Sequence, residues 1–343
     1  MATLSFLKLS GTAFDIGAAL GAKAKPVIRR FLLKSESWAH TMAYKDHPFV
    51  LNARELTQSM YPRYFREIEG IAEGAGVPLD ELFAWHCAGD VWSLETEGCT
   101  TVQLSGYPAV IAHNEDGREG LRPGCCLAEV TPDEGRSYTA FFYPGLIGGN
   151  AFAVNDAGLV QTVNSITSLS PGRGLPRVIL TRALMDCAGT AEAETLIADA
   201  PRSGAFHVTL GQAGVPGLIS VEFTHRRYSA VPVAGIQSHA NHLVHPAMRQ
   251  EAQTVSASSA ARLTRVETLM DTQFFLLGPL GILKDTTNAP LSIFRRQSQN
   301  PEDIVTLATA NFIISETSVD WRVFSGDKHT QRRSGVVQIN PKG

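Results

Sequence analysis

The sequence lacks the features that mark fibrous, disordered and nucleic-acid-binding proteins. Charged residues form only 18% of the 343 residues and hydrophobic residues form 44%, which is enough apolar material for a large core. The 30 Lys and Arg nearly balance the 33 Asp and Glu, and no basic run is interleaved with aromatic residues. Because surfaces that bind polyanions are basic, we expect a globular protein without a nucleic-acid partner.

Long apolar runs and an export signal are also missing. The most apolar later stretch, Phe274 to Leu283, is interrupted by Gly278 and Pro279 and is far shorter than the roughly 20 residues that span a bilayer. Residues 1–8 show no basic region followed by an apolar stretch and a small-residue cleavage site. We therefore expect no membrane partner and a cytoplasmic location.

Cysteine is scarce, and the spacing of the cysteines does not match a disulfide or zinc-binding pattern. The 5 cysteines include no C-x-x-C pair, which favours reduced thiols over disulfides or a zinc site; they are Cys87, Cys99, Cys125, Cys126 and Cys187. The sequence also has no P-loop, no dinucleotide glycine fingerprint and no Gly-x-Ser-x-Gly elbow. We expect at least one free thiol and no cofactor.

The chain changes character after Gly98. Before it, apolar residues at three- and four-residue spacing predict helices, and after it, short alternating or apolar runs between turns predict hairpins. Helical patterns return at 176–188, 191–200 and 258–272, among strands that close near 305–314 and 321–324. Helices and strands in blocks predict an α+β fold with a helical segment, 1–98, and a second segment, 99–343.

The tetrapeptide Gly98-Cys99-Thr100-Thr101 lies at this change. Alternation puts Cys99 on the polar face of a predicted strand, and Gly98, which has no Cβ, leaves its carbonyl open to the neighbouring thiol and can adopt strained backbone angles. An N-to-S acyl shift there would cut the chain and make Cys99 a new N-terminus. Its α-amine, with an ordinary pKa of about 7.7–8.0, would then serve as the base for its own thiol. A packed structural cysteine is the alternative.

The sequence resembles a known family through motifs that occur in the same order in both and that extend through nearly the whole chain. They are Gly11-Thr12-Ala13-Phe14-Asp15-Ile16-Gly17, Tyr61-Pro62-Arg63-Tyr64, Gly98-Cys99-Thr100-Thr101, Asn114-Glu115-Asp116, Gly158-Leu159 leading to Asn164, His239-Ala240-Asn241-His242, Ala261-Arg262-Leu263 and Ser292-Ile293-Phe294-Arg295. The family is the isopenicillin N / acyl-CoA:6-aminopenicillanic acid acyltransferase family of N-terminal-nucleophile (Ntn) cysteine hydrolases, related to choloylglycine hydrolase and penicillin V acylase.

The resemblance implies a fold and a maturation route. The fold is a four-layer αββα sandwich, and the chain is made as an inactive precursor that cuts itself between Gly98 and Cys99. The products are a helical α chain, 1–98, and a catalytic β chain, 99–343, which stay associated as partners. The sequence leaves open whether the protein forms a homo-oligomer.

Roles for individual residues follow partly from the sequence and partly from the resemblance. Asp116, 17 positions after Cys99, suits the return strand of a hairpin, where its carboxylate would hold the new α-ammonium; an exposed turn residue is the alternative. The resemblance makes Asn241 the donor to the oxyanion and Asn164 a second positioning amide, although Asn164 could equally satisfy a loop backbone.

Three further residues belong to the predicted site. Arg262 shares a helical face with Val266 and Leu269, so its buried guanidinium needs an anionic partner such as Asp116 or the substrate. His113, where relatives tend to carry Arg or Gln, and Thr101 are weaker candidates for substrate contact. Arg295 is interpreted as structural.

The spacing His239, His242, His245 invites a metal site. Three-residue steps keep only two of these side chains on one helical face, and Pro246 follows at once, so we expect no metal here.

The predicted function is hydrolysis of a linear N-acyl amide, a small-molecule substrate, through a thioester on Cys99. Hydrolysis is preferred because nothing in the sequence resembles a cradle for coenzyme A phosphates. Acyl-CoA-dependent transfer to a small amine is the first alternative. A non-catalytic binding protein with the same fold and a histidine metallohydrolase are further alternatives.

Overall fold

A computed structural model describes residues 4–91 and 98–339. The helices are α1 (Ala13–Arg30), α2 (Glu36–Met42), α3 (Pro48–Met60), α4 (Pro62–Ala75), α5 (Leu79–His86), α6 (Ala88–Val91), α7 (Arg177–Leu184), α8 (Thr190–Asp199) and α9 (Ala257–Ile282). The strands are β1 (Ser5–Gly11), β2 (Gly98–Leu104), β3 (Ala109–Arg118), β4 (Cys126–Pro132), β5 (Tyr138–Phe142), β6 (Phe152–Asn155), β7 (Leu159–Ser165), β8 (Thr167–Ser168), β9 (Phe206–Gln212), β10 (Val215–Phe223), β11 (Tyr228–Pro232), β12 (Ile236–His239), β13 (Gln253–Thr254), β14 (Ile304–Ile314), β15 (Ser318–Ser325) and β16 (Thr330–Gln338).

The strands form two large sheets. An 8-stranded sheet has the order β1-β4-β5-β6-β7-β9-β10-β11, and a 6-stranded sheet has the order β12-β2-β3-β14-β15-β16. The pair β1–β4 is parallel, and the other described pairs of these sheets are antiparallel. The hairpin β2–β3 therefore lies inside the smaller sheet, between β12 and β14.

Three apolar cores separate four layers. Helical residues such as Ile28 and Ile68 pack with Phe142 on one face of the larger sheet. Phe141, on the other face, packs with Phe312 of the smaller sheet. The outer face of the smaller sheet packs on α9, and this third core consists of Val102, Ala112, Val266, Leu269, Ile282, Leu283 and Ile293. The order helix, sheet, sheet, helix confirms the predicted α+β class and the αββα sandwich.

The first segment is built into this sandwich. We predicted it as helical, but Ser5–Gly11 is a strand that pairs in parallel with β4. Helices α1 and α4 touch through glycines, because a Cβ on Gly17 would lie 2.1 Å from the Glu67 carbonyl oxygen. The segment thus adds a strand to the larger sheet and supplies one side of its core.

Helix α9 extends further than the predicted 258–272. It continues to Ile282 through a break at Gly278, which has φ 60° and is followed by Pro279. Among the described residues, no helix combines the length and apolarity needed to cross a membrane. All five cysteines are buried, and the structure joins none of them in a disulfide.

Candidate active site

The β2–β3 hairpin sets the geometry of the site. Cys99 lies directly opposite Glu115, and Thr101 lies opposite His113. Because side chains alternate along a strand, these four share one face. That face points toward the larger sheet, since Thr101 Oγ1 donates a 2.7 Å hydrogen bond to Asn164 Oδ1 on β7. The nucleophile candidate therefore lies between the two sheets.

The backbone of Cys99 is held on both sides. Its N–H donates to Asn241 Oδ1 at 2.9 Å. Arg262 Nη1 donates to the Cys99 carbonyl oxygen and, at 2.7 Å, to Thr100 Oγ1. Arg262 Nη2 donates to Asn241 Oδ1. Asn241 and Arg262 thus act as one clamp on the first peptide units of β2.

Strand pairing and helix packing place this clamp. Strand β12 pairs with β2, and Asn241 follows two residues after β12, where its backbone N–H donates to Ser259 Oγ on α9 at 2.8 Å. Arg262 lies on the buried face of α9 beside Val266, as the helical pattern predicted. Burial, with a further effect of the nearby Arg295 charge, lowers the pKa of Arg262 to about 10.

The thiol faces a carboxyl group. Cys99 Sγ lies 3.7 Å from Glu115 Oε2, and Glu115 Oε1 accepts a 2.7 Å hydrogen bond from the Tyr143 hydroxyl. Glu115 Oε2 also lies 3.0 Å from His113 Nε2. Burial raises the pKa of Glu115 well above its ordinary value and lowers the pKa of His113 to about 3. Burial thus favours the neutral form of each group, and in that form the carboxyl group donates the hydrogen bond to the imidazole.

Hydrogen bonds continue from this group to the larger sheet. His113 Nδ1 lies 2.8 Å from Thr101 Oγ1 and, with Nε2 as acceptor, it is the donor. Thr101 donates in turn to Asn164, whose Oδ1 also lies 3.0 Å from His207 Nδ1. Cys99 is thereby linked to Asn164 through buried polar groups that leave no unpaired donor along the path.

Asp116 faces the other way. It lies opposite Gly98 in the hairpin, and its Oδ1 accepts a 2.7 Å hydrogen bond from Thr306 Oγ1. Its Oδ2 lies 3.6 Å from Arg295 Nε. Burial raises the pKa of Asp116, although Arg295 opposes this shift. The residue that approaches the Cys99 sulfur is thus Glu115, whereas Asp116 pairs with Gly98.

The Arg295 guanidinium packs against Gly98. A Cβ on Gly98 would lie 2.9 Å from Arg295 Nη1, so a larger residue there would displace the end of the Arg295 side chain. Gly98 is not among the glycines with positive φ, so the structure does not show the strained backbone that we expected. Arg295, which the sequence suggested was structural, therefore lies at the predicted cut site.

The two predicted oxyanion amides have other partners in this structure. Asn241 Nδ2 donates to the Ser165 carbonyl oxygen at 3.0 Å, and Asn164 Nδ2 donates to the His239 carbonyl oxygen at 3.4 Å. Asn241 presents its oxygen, an acceptor, to Cys99. The role of these amides as oxyanion donors stays a prediction for the mature enzyme.

The three histidines at three-residue spacing do not face one point. They lie in β12 and the following loop, not on a helix. His239 Nε2 lies 2.8 Å from Glu222 Oε1, and the backbone N–H of His245 donates to Glu222 Oε2 at 3.0 Å. His242 Nδ1 instead lies 2.7 Å from Ser259 Oγ. This group anchors the loop that carries Asn241.

A cleft adjoins the site between the two segments. Tyr143, which donates to Glu115, lines it together with aromatic residues of both segments and two arginines; the main lining residues are Phe31, Trp85, Tyr143, Phe206, Arg118 and Arg177. Ala88 and Gly89, near the end of the first described range, also line it. Apolar and polar side chains both line the cleft, and Cys99 is not among its lining residues.

Taken residue by residue, the structure brings Cys99, Asn241 and Arg262 into direct contact. It links Thr101, His113 and Asn164 to them by hydrogen bonds, and it places Asp116 on the opposite face of β3. Sequence reasoning missed Glu115, Tyr143 and Arg295. The first and last of these lay within the motifs that carried the family resemblance, whereas Tyr143 gave no signal beyond an apolar strand.

The chain is similar to a known protein family, to a hydrolase and to a solved structure. The sequence model of the family described as acyl-coenzyme A:6-aminopenicillanic acid acyl-transferase matches residues 104–328. Beta-alanyl-dopamine/carcinine hydrolase of Drosophila melanogaster is 24% identical over 217 residues, which are 55% of this chain and 56% of that protein, so the chain matches about half of that relative's length. The crystal structure of the mutant C2A of conjugated bile acid hydrolase from Clostridium perfringens gives a TM-score of 0.43 at 9% identity, covering 71% of this chain and 93% of that chain.

Proposed function

Since the chain belongs to the acyl-coenzyme A:6-aminopenicillanic acid acyl-transferase family, we propose that it is an Ntn-type cysteine amidohydrolase that activates itself by cutting between Gly98 and Cys99. Membership confirms the family resemblance, while the family match begins at residue 104, after the proposed nucleophile. The observation that carries the proposal is therefore geometric. Cys99 is the second residue of the buried strand β2. Its backbone N–H donates a hydrogen bond to Asn241 Oδ1, and its sulfur lies 3.7 Å from Glu115 Oε2.

The cut is an acyl shift followed by hydrolysis. Cys99 Sγ attacks the Gly98 carbonyl carbon, the C–N bond between the two residues breaks, and the nitrogen leaves as an amine that carries the proton of the thiol. Water then breaks the new C–S bond and leaves a Gly98 carboxylate and a Cys99 thiol. The Arg295 guanidinium, which is packed against Gly98, supplies positive charge beside the carbonyl that becomes an oxyanion.

A proton acceptor is needed before the amine exists. The Cys99 nitrogen of the uncut chain belongs to a peptide bond and is not basic. Glu115 Oε2 can take the thiol proton while its own proton moves to His113 Nε2, because the three groups lie in hydrogen-bonding contact. Glu115 and His113 therefore serve the first cut in this proposal.

In the mature enzyme the α-amine of Cys99 takes over as the base. The thiolate attacks the amide carbonyl of the substrate, the amine product leaves with a proton, and water resolves the thioester. Asn241 Oδ1, already the acceptor for the Cys99 nitrogen, keeps the amine in place. The two chains stay together because β1 pairs with β4 and the helices share one core with the larger sheet.

The proposed substrate is a small N-acyl amine. The aromatic cleft beside Tyr143 offers apolar walls for one half of such a molecule. The name of the Drosophila relative, beta-alanyl-dopamine/carcinine hydrolase, describes a protein that acts on amides of this kind.

A second candidate function is transfer of the acyl group to an amine, which the family's description favours. Both reactions pass through the same thioester. Product analysis with an N-acyl amide and a competing amine separates them: free acid indicates hydrolysis, whereas a new amide that grows with amine concentration indicates transfer.

The cut itself tests the proposal. We expect two chains on a denaturing gel, with Cys99 as the N-terminus of the larger one, and a single chain for Cys99→Ala. Cys126→Ala is the matched control, since Cys126 is equally buried but packs in the helical core, and it should be cut normally. Full turnover by an uncut chain, shown by mass spectrometry of active material, would overturn the proposal.

A further inference from the structure

Three metal-ligating side chains meet at the nucleophile. Cys99 Sγ, His113 Nε2 and a Glu115 carboxylate oxygen all lie within 4.8 Å of one another. Two of the separations are 3.7 Å between Sγ and Oε2 and 3.0 Å between Oε2 and Nε2. Sulfur, imidazole nitrogen and carboxylate oxygen are the donors that zinc takes in proteins.

The spacing suits one small ion. With zinc bonds of about 2.3 Å to sulfur and about 2.0–2.1 Å to nitrogen and oxygen, the 3.7 Å separation corresponds to an angle of roughly 115° at the ion and the 3.0 Å separation to roughly 95°. The two angles lie within about 15° of the tetrahedral value. The hairpin backbone already fixes the three residues, because His113 and Glu115 lie two apart on β3 and Cys99 pairs with Glu115. A fourth position remains for water.

Outer groups orient two of the ligands. Thr101 Oγ1 engages His113 Nδ1 at 2.8 Å, which leaves Nε2 with its lone pair directed at Glu115. The Tyr143 hydroxyl engages Glu115 Oε1 at 2.7 Å and leaves Oε2 for the ion. Partners of this kind hold metal-binding histidines and carboxylates in many sites. The three histidine rings of the 239–245 segment do not converge in this way. His239 bonds to Glu222, His242 bonds to Ser259, and His245 bonds to Ser220 and Ser229.

We propose that Cys99, His113 and Glu115 bind a thiophilic divalent cation, represented by Zn²⁺, and that the bound ion inhibits the protein. One Zn²⁺ replaces the thiol proton and the carboxyl proton, both of which pass to solvent, and a Zn–S bond forms. The sulfur is then no longer available to attack a carbonyl carbon. The binding stands by itself, whereas the inhibition of cutting and turnover rests on the function proposed above.

Direct binding is the test. Zn²⁺ affinity is measured on the full chain by competition with a chromophoric chelator, and Co²⁺ is added separately to detect sulfur-to-metal charge-transfer absorption. We expect one ion per wild-type chain, loss of the charge-transfer band in Cys99→Ala, and an affinity at least about 100-fold weaker in His113→Ala. Thr101→Val removes the hydroxyl group that contacts His113 Nδ1 but removes no ligand atom, so it should weaken binding about 10- to 100-fold.

Two controls keep the result interpretable. His242→Gln, outside the cluster, should bind Zn²⁺ like the wild type, and Glu115→Gln, which keeps the size of the side chain, replaces His113→Ala if that variant fails to fold. Wild-type protein that binds no Zn²⁺, or ligand variants that bind it unchanged, would overturn the site. A chain that binds Zn²⁺ as expected but neither cuts itself nor hydrolyses amides would instead contradict the proposed function.

Discussion

The carboxyl group of Glu115 lies 3.7 Å from the sulfur of Cys99, across the β2–β3 hairpin. In this chain the nitrogen of Cys99 is a peptide nitrogen and not a base. In the proposed function, Glu115 is therefore the neighbouring proton acceptor before an α-amine is formed. Self-cutting and turnover then place different demands on the same sulfur, and we expect the two steps to respond differently to changes at Glu115.

The first prediction follows from that difference. Glu115→Gln keeps the shape of the side chain but cannot pass a proton from Cys99 to His113, so we expect self-cutting to slow by about 10²- to 10⁴-fold. The small fraction that is cut should turn over substrate with a much smaller loss, because the α-amine then serves as base. Time courses of the cut on denaturing gels and kcat per mole of cut chain measure the two effects. An equal loss in both would contradict separate roles.

A second prediction concerns the packing at the cut site. Gly98→Ala adds a methyl group 2.9 Å from Arg295 Nη1, so the end of the Arg295 side chain must move. Because that end is flexible, we expect a loss of only about 0.5–1.5 kcal/mol in the free energy of unfolding, measured by urea denaturation of uncut protein, together with slower cutting. The Gly98→Ala/Arg295→Ala double variant removes the clash but also the positive charge and the partner of the buried Asp116, so it should recover neither stability nor cutting. Recovery of cutting by the double variant would argue against an electrostatic role for Arg295.

The third prediction tests the clamp on the Cys99 backbone. Arg262→Met removes the donors to the Cys99 carbonyl oxygen and to Asn241, and it leaves buried acceptors unsatisfied, which costs about 1–3 kcal/mol each. We expect little cutting and a lower melting temperature. Arg265→Met is the matched control from the next turn of α9, because Arg265 forms a partly exposed ion pair with Asp285 that contributes at most about 1 kcal/mol. Similar losses in both variants would remove Arg262 from the site.

Much of the fold could be predicted because a helix or strand with a buried face has apolar residues at a regular spacing in the sequence. Helices α4 and α9 and strands such as β3 and β14 bury one face or both, and their patterns were found. Strand β1 was missed because it is a half-buried edge strand, and it pairs with the distant strand β4, in which Cys126 is the partner of Ser5. Strand β16 was missed for a related reason, since this mostly exposed edge strand carries little apolar alternation.

In the site, the sequence predicted the hairpin but not its register. A spacing of 17 residues brings Asp116 near Cys99, yet the strands pair Cys99 with Glu115 and Gly98 with Asp116. A difference of one residue moves a side chain to the opposite face of the strand, so Glu115 is the carboxyl group that faces the sulfur, while the role of Asp116 in holding the α-ammonium stays a prediction. Turn geometry sets this register, and the composition of β2 and β3 does not reveal it. Tyr143 was equally inaccessible, because its contact with Glu115 depends on how the two sheets stack.

The fourth prediction uses a buried acid outside the nucleophile's surroundings. Asp90 lies near the end of the first described range, where its Oδ1 accepts the backbone N–H of Arg177 at 3.0 Å. Among residues 4–91 and 98–339, no group donates to its Oδ2. Burial raises the pKa of Asp90 to about 7 from an ordinary 3.8, against the effect of Arg177, so the folded chain holds a proton that the unfolded chain releases.

The sign of the effect follows from linkage. Because the folded pKa is the higher one, Asp90 makes the free energy of unfolding fall as the pH rises from about 4 to about 7, by up to about 4 kcal/mol in total, and contributes no further change above that. Asp90→Asn has no carboxyl group at this position, so this contribution to the pH dependence of the free energy of unfolding is lost. Relative to wild type, we expect the variant to gain about 2–3 kcal/mol between pH 5 and pH 8 in urea denaturation. Asp80→Asn is the control, since Lys45 lowers the pKa of Asp80 and the relative change should be small and of opposite sign. A difference between Asp90→Asn and wild type that does not vary with pH would show that Asp90 is ionised in the folded chain.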